Sequence, residues 1–208
     1  MARSSSILIA GYDDVFLAEA RACVERSKRG QHEDDANLHA GAAASSIVAA
    51  CAAIEAYVSE SVAYHEYKGA LSAEDAERIR DERRTWAMTN KLVKSFATKG
   101  LDSTDPDLYR QLEATARLRD TIAHRSAAFQ STDAWPAWLA NLHEIIPHER
   151  TAGLDWTSRV LRYDTAAWAV DVAEQVLARA RAVVPEKLSP IEVTLTLPTE
   201  HGGPHGEW

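Results

Sequence analysis

An arginine, an aspartate and a histidine share one predicted helix, as Arg119, Asp120 and His124. At about 100° per residue, Arg119 falls in the middle of the apolar stripe of a helix predicted over residues 107–129. That stripe is formed by Leu108, Leu112, Thr115, Ile122 and Ala123. A guanidinium there must pair with an acid, extend its charged end to the surface, or face a solvent-filled groove, because burying an unpaired charge costs several kcal/mol or more. Asp120 and His124 are an i, i+4 pair, so the carboxylate can orient the imidazole. Histidine can move a proton near neutral pH and arginine can hold phosphate oxygens, so these residues suit chemistry at a phosphate.

A long alanine-rich helix, predicted over residues 37–67, must position this motif. Its apolar stripe is formed by Ile47, Cys51, Ile54, Val58, Val62 and His65. Glu55 lies at the edge of that stripe, about 80° from Ile47, and is the best candidate partner for Arg119. The alternative is that Glu55 is a boundary residue that reaches solvent. His65 is predicted to be a packing histidine with its polar atoms satisfied.

The order Arg119-Asp120-x-x-x-His124 resembles the R-[polar]-x-x-x-H motif of the HEPN superfamily. These are compact all-helical domains, often dimeric, and many are metal-independent ribonucleases of toxin–antitoxin and antiviral systems. The alanine-rich helix with Glu55 is similar to the early helix of several HEPN groups. The resemblance covers about residues 36–130, with a helix at 165–183 as its continuation.

The resemblance implies a composite site in which two copies of Arg119 and His124 face each other across a homodimer. Such a site would cut RNA without a metal and leave 2′,3′-cyclic phosphate and 5′-hydroxyl ends. Asp120 would orient His124, and Arg125 would contact a flanking phosphate. The alternative is a non-catalytic HEPN-like module that binds a partner protein, RNA or a nucleotide, with Arg119 paired to Glu55 inside the bundle.

A basic window precedes the motif helix. Residues 83–100 include no acid, and Arg84, Lys91 and Lys94 are candidates for RNA binding. The alternative is a solvated face balanced by the acids of residues 74–82. The net charge of −8 argues against a protein that coats nucleic acid, but it leaves a local RNA site open.

Composition and periodicity predict an all-α fold in a single domain over residues 1–208. The resemblance implies that this domain is a HEPN-like bundle of about four to five helices. A first helix over 12–28 should end at Gly30, and a later one should begin after a Ser72 cap and run to about residue 98, bending near Trp86. Asp105-Pro106 should cap the motif helix, with the proline at its first position. The remaining segments are the motif-bearing helices at 36–130, an irregular insertion at 131–164, a closing helix at 165–184 and an extended, β-like tail at 185–208.

Other chemistries lack support in the sequence. The phosphate-binding and nucleophile glycine motifs are missing, so we expect no cofactor. His143, Glu144, His148 and Glu149 match no strong ligand spacing, and Pro147 interrupts them, so we expect no metal.

Cys23 and Cys51 fit free buried thiols in a reducing cytoplasm, and no apolar run approaches the roughly 18 residues of a membrane span. We therefore expect no membrane partner. The resemblance implies an RNA substrate, a second copy of the chain and an antitoxin or defence-system protein as partners.

Overall fold

The computed structural model describes residues 4–8, 11–123, 137, 141–151, 153–185 and 192–196. The chain is mostly helical, which confirms the all-α fold class. Its contacts separate a helical unit, Gly11–Glu186, from a unit formed by Met1–Ala10 and Lys187–Trp208. In the second unit, strands β1 (Ser4–Leu8) and β2 (Glu192–Thr196) pair antiparallel, with Ser4 opposite Thr196.

The described helices are, in chain order, α1 (Tyr12–His32), α2 (Ala36–Tyr67), α3 (Ala73–Arg80), α4 (Thr85–Phe96), α5 (Leu101–Thr104), α6 (Pro106–Ala123), α7 (Trp156–Val160) and α8 (Tyr163–Arg181).

The long helix α2 is the centre of the helical unit and packs against α1, α3, α4, α6 and α8. Asp35 caps its start by accepting hydrogen bonds from the backbone N–H groups of Asn37 and Leu38, as an N-terminal carboxylate should. Ile47, Ile54 and many small residues of α2 are fully buried. Alanine and serine side chains let the neighbouring helices approach closely, which explains how one helix can contact five others.

By length and composition, α2 is the one helix in the described part of the chain that is apolar enough to cross a membrane. The sequence has no unbroken apolar run of this length here, because Ser45, Ser46 and Glu55 interrupt it, but α2 is apolar enough when hydropathy is averaged over 18 residues. Most of the apolar window is nevertheless buried inside the protein, and the core helix of a soluble protein passes the same test.

The prediction that Gly30 ends the first helix is wrong, because α1 continues to His32. Gly30 is buried where the start of α2 crosses α1, and a Cβ atom there would meet the backbone nitrogen of His39 at 2.5 Å. The chain reverses after α1 at Asp34, which has a φ of 56°. Gly30 therefore serves close helix packing instead of helix termination.

The helix predicted to follow Ser72 is two helices in the structure. Ser72 does cap α3, since its hydroxyl accepts from the backbone N–H of Asp75 at 3.0 Å. The chain then leaves the helical path at residues 81–84, a few residues before the predicted bend at Trp86. Glu82 lies in this connection and accepts hydrogen bonds from the backbone and side chain of Arg84.

The motif helix α6 begins at Pro106 as predicted, and the Asp105 carboxylate accepts from the backbone N–H of Leu108 at 3.3 Å. Leu108, Leu112 and Thr115 are buried, as the predicted stripe requires, and Leu118 is also fully buried. Ile122 is only half-buried and Ala123 is exposed, so the stripe was wrong in the last turn. The burial of Leu118 follows from the contacts of α6 with four helices (α2, α4, α5 and α8), which make its buried face wider than the predicted stripe.

The predicted motif helix extended to residue 129, but residues 124–129 lie outside the described residues. Part of the predicted insertion at 131–164 also lies outside them, and its described part includes α7. The closing helix α8 begins two residues earlier and ends three residues earlier than predicted.

Candidate functional site

The candidate site is built around Arg119, which projects from α6 toward α2 and α4. Glu55, the partner suggested by the sequence, comes from α2, and Asp120 follows Arg119 on α6. The structure thus brings together three of the four residues assigned to catalysis or its support. The fourth, His124, lies outside the described residues, as does Arg125.

Glu55 accepts two hydrogen bonds from Arg119: Nη2 donates a short one to Oε1, and Nη1 donates a long one to Oε2 at 3.5 Å. The Arg119 side chain is 22% exposed and that of Glu55 is 33% exposed. Glu55 is therefore both a boundary residue and an ion-pair partner. The pair is asymmetric, since the hydrogen bond from Nη2 is short and the hydrogen bond from Nη1 is long.

Thr85 completes this cluster and was not identified from the sequence. It is the first residue of α4 and only 2% exposed. Its hydroxyl oxygen accepts a hydrogen bond from Arg119 Nη2 at 3.0 Å, and its hydroxyl group donates to Glu55 Oε1 at 2.5 Å. Three helices are thus joined through one guanidinium, one carboxylate and one hydroxyl.

Asp120 adds a second carboxylate. Its Oδ1 lies 2.9 Å from Arg119 Nε, yet this buried nitrogen forms no aligned hydrogen bond within the described residues. Burial alone would lower the pKa of Arg119, but the carboxylates of Glu55 and Asp120 outweigh burial and raise it above its usual value. The guanidinium therefore remains charged at any physiological pH.

Cys51 lies one helical turn before Glu55 and is fully buried. Burial raises the pKa of its thiol to about 12, despite the nearby charge of Arg119. A thiol with such a pKa is protonated near neutral pH and is a poor nucleophile. Cys23 is also buried, and both cysteines are free, as predicted.

The basic window meets acids that flank it in sequence. Arg84 Nε lies 2.8 Å and Lys91 Nζ 3.2 Å from the Glu82 carboxylate, while Lys94 Nζ lies 2.9 Å from Asp102. These contacts favour the interpretation of a balanced, solvated face. Any role of Arg84, Lys91 and Lys94 in RNA binding requires that they leave or share these partners.

The other histidines considered from the sequence have local contacts. His65 is buried, and its Nε2 donates to the carbonyl oxygen of Pro185 at 3.1 Å, so it is the packing histidine that was predicted. The rings of His143 and His148 are 6.3 Å apart, and His148 borders a cavity of about 560 Å³. No cluster of three or more metal-ligating side chains occurs among the residues described.

The described part of the site can hold one charged guanidinium in a fixed orientation at the junction of α2, α4 and α6. An arginine held in this way can stabilise a phosphate oxygen by hydrogen bonds. Proton transfer would depend on His124. Comparisons of the chain with protein-family models, with curated proteins and with solved structures gave no match, so they show no family.

Proposed function

We propose that this chain is a HEPN-like, metal-independent endoribonuclease whose site is composed at a homodimer interface. The observation that carries the proposal is the fixed guanidinium of Arg119, which Glu55 holds in place. Arg119 lies five residues before His124 in the same sequence motif. We further propose a cytoplasmic role in a toxin–antitoxin or antiviral system.

In the proposed reaction, one His124 takes the proton of the RNA 2′-hydroxyl, whose oxygen attacks the adjacent phosphorus. The bond from phosphorus to the 5′-oxygen breaks, and the His124 of the second copy gives that oxygen a proton. Arg119 stabilises the extra negative charge on the phosphorane oxygens. The products are a 2′,3′-cyclic phosphate and a 5′-hydroxyl.

In this proposal Asp120 orients His124 and Arg125 holds a flanking phosphate. Arg84, Lys91 and Lys94 guide the strand to the site. Because the latter three meet Glu82 or Asp102, their contribution to RNA affinity is small and declines further with salt.

A non-catalytic module that binds protein, RNA or a nucleotide is the second candidate. One observation favours it: Glu55 and Asp120 already neutralise Arg119, as Glu82 and Asp102 neutralise the basic window. In that case Arg119 is a structural cation that joins α6 to α2.

Cleavage of a mixed RNA pool in EDTA tests the two candidates. Wild type should cut and leave cyclic phosphates, whereas Arg119→Ala and His124→Ala should each be slower by about a hundredfold or more. Arg110→Ala is the matched control, because Arg110 is an exposed arginine on the same helix, and it should cut like wild type.

Circular dichroism and light scattering must first show that all four proteins are equally folded and equally dimeric. If no protein cuts, or if all cut alike, the ribonuclease proposal is wrong. A wild type that slows expression-host growth while His124→Ala is equally toxic would instead support the binding module.

A further inference from the structure

One face of α2 remains open to solvent, although this helix packs against five others. At about 100° per residue, the members of the open face lie within about 40° of one line along the helix. All are uncharged, and each is exposed or half-buried: Ser45, Val48, Ala52, Ala56, Ser59 and Ala63. The central helix of the helical unit therefore has a surface that can receive a further helix without burying a charge.

The helix α1 lies along one edge of this open face and runs antiparallel to α2. Near the start of α1, the backbone N–H of Tyr12 donates to Glu60 of α2 at 3.0 Å. Two turns later, the carbonyl oxygen of Ala20 accepts from the hydroxyl group of Ser46 at 2.9 Å. Residues 12–20 of α1 therefore lie beside residues 46–60 of α2, next to the middle of the open face.

The side of α1 that borders the open face carries exposed aromatic side chains. Tyr12 is 54% exposed, and Phe16, one turn later, is 37% exposed. Both lie about 140–180° around α1 from Arg21, whose guanidinium contacts Glu174 of α8. They therefore lie away from α8, on the side of α1 next to the open face of α2, where Val48 is 38% exposed. Tyr12, Phe16 and the open face of α2 together form the α1–α2 face, and apolar side chains grouped in this way are typical of a protein–protein contact.

The candidate site lies along the opposite edge of the α1–α2 face. Glu55 is about 60° around α2 from Ala52, on the side away from α1. It pairs with Arg119 of α6 and accepts a hydrogen bond from Thr85 of α4. A molecule that covers the α1–α2 face therefore lies beside the Arg119–Glu55 pair.

A second copy of the chain is the occupant that this face fits. Contact of the open face of α2 with itself buries no charge, and its small side chains let two helices approach to about 8 Å. From Ser45 to Ala63 the face is about 27 Å long, and two adjacent helices make it about 20 Å wide. The contact would bury about 550 Å² per copy, or about 1,100 Å² in all, which exceeds the roughly 1,000 Å² that a biological interface needs.

Symmetry decides how the two copies are oriented. If the two α2 helices ran parallel, α1 of one copy would face the Arg119 edge of the other copy. If they run antiparallel, a twofold axis across the helices places both Arg119 edges on the same side of the dimer. The antiparallel pair also sets the two helix dipoles in opposite directions, which is favourable. Only this arrangement meets the requirement of the proposed reaction for two copies of the motif in one site.

We propose that the α1–α2 face is the homodimer interface, in which α2 packs antiparallel on α2 of a second copy about a twofold axis level with Glu55. This inference rests on the proposed function, since it names the partner and the surface that complete the site. With the axis at this level, Ala52 of one copy faces Ser59 of the other, and Val48 faces Ala63. The two copies of Arg119 then border one groove.

A charge placed on the face should separate the two copies. Val48→Glu should raise the dimer dissociation constant about a hundredfold or more, because both copies would bury an unpaired carboxylate. Circular dichroism should be unchanged, since Val48 is exposed in the single chain. Ala178→Glu is the matched control, because it adds the same charge at an exposed position of α8, and it should dimerise like wild type. If Val48→Glu does not fold, Ala63→Glu takes its place.

Sedimentation velocity over a concentration series measures dimerisation, and RNA cleavage in EDTA is measured on the same samples. Cleavage should be lost with the dimer in Val48→Glu and kept in Ala178→Glu. A Val48→Glu protein that stays dimeric overturns the inference, as does a wild type that is monomeric, whether or not it cuts RNA. A wild-type dimer that Val48→Glu dissociates but that cuts no RNA overturns the proposed function and leaves the interface in place.

Disulfide crosslinking tests the antiparallel orientation separately. A chain with both Ala52→Cys and Ser59→Cys should form a crosslinked dimer on oxidation. The two positions are about 10 Å apart within one helix, too far for a disulfide inside the chain. Ala178→Cys is the control and should not crosslink. Absence of a crosslink in a double variant that remains dimeric overturns the proposed orientation.

Discussion

At the scale of single residues, Glu82 is the group whose charge matters most for the connection between α3 and α4. Its side chain is only 10% exposed and meets Arg84 Nε at 2.8 Å and Lys91 Nζ at 3.2 Å. The hydrogen bonds from Arg84, then those from Lys91, lower the pKa of Glu82 to about 2. The ionised form of Glu82 is therefore favoured over the protonated form much more strongly in the folded protein than in the unfolded chain.

Glu82→Gln should lower the free energy of unfolding at pH 7 by about 1–2 kcal/mol, allowing for screening by solvent. The folded pKa lies below the unfolded value of 4.5, so the contribution is fully present above pH 4.5 and is lost as the pH falls toward 2. Urea unfolding at pH 7, 4.5 and 3 should show the gap between wild type and variant closing.

The control for this experiment is Asp81→Asn, which removes an exposed carboxylate from the same connection. It should change stability by less than about 0.5 kcal/mol at every pH. A gap for Glu82→Gln that is independent of pH would show that the charge of Glu82 is not what stabilises this connection.

The sequence could predict some of these residue contacts but not others. A guanidinium in an apolar stripe must find an acid, and Glu55 was the acid that the helical pattern offered. Thr85 was missed because its position depends on where the chain breaks between α3 and α4, which periodicity placed too late. Residues 83–100 include no acid, yet Glu82 and Asp102 flank them and fold back onto their cations.

At the scale of helices, two glycines should respond in opposite ways to the same substitution. Gly30→Ala should destabilise the protein by about 2 kcal/mol or more, because the new Cβ would lie 2.5 Å from the backbone nitrogen of His39 and backbone cannot move aside cheaply. Gly41→Ala should stabilise it by about 0.5–1 kcal/mol, since Gly41 is exposed within α2 and nothing lies within 4 Å. Urea unfolding of both variants measures the difference.

Equal effects of the two substitutions would contradict the close crossing of α1 and α2 at Gly30. This crossing also explains why the end of α1 was predicted too early. A glycine near the end of an amphipathic pattern is typical of a helix terminus. Only the approach of the second helix, which a single sequence does not display, distinguishes a packing glycine from a terminating one.

At the scale of the whole molecule, composition and periodicity sufficed for the all-α class, because helices buried on several sides need small and apolar residues at regular spacing. They also gave α2 to within one residue and the proline start of α6. They could not predict which residues of α6 contact the neighbouring helices, and so did not predict that Leu118 is buried and Ala123 exposed. That property belongs to the packing of several helices together.

The first and last helices of the helical unit are joined by one arginine. Arg181, in the last turn of α8, lies 2.7 Å from Asp13 and 2.9 Å from Asp14 in the first turn of α1. Asp13 is 4% exposed, so its carboxylate depends on this partner. The Arg181 guanidinium also lies 5.7 Å from the centre of the Tyr57 ring on α2. One side chain thus connects three helices.

Arg181→Gln should destabilise the protein by about 2 kcal/mol, because it leaves the Asp13 carboxylate buried without its cation. Adding Asp13→Asn should recover part of this loss, since it removes the unpaired charge. Arg179→Gln is the matched control, because Arg179 is 66% exposed and lies 3.4 Å from Asp105, and it should cost less than about 0.5 kcal/mol. Urea unfolding of the four proteins measures these differences in stability. If Arg181→Gln and Arg179→Gln lower the free energy of unfolding equally, or if Asp13→Asn lowers it further, the junction of α1 and α8 is held by apolar packing and not by this charge.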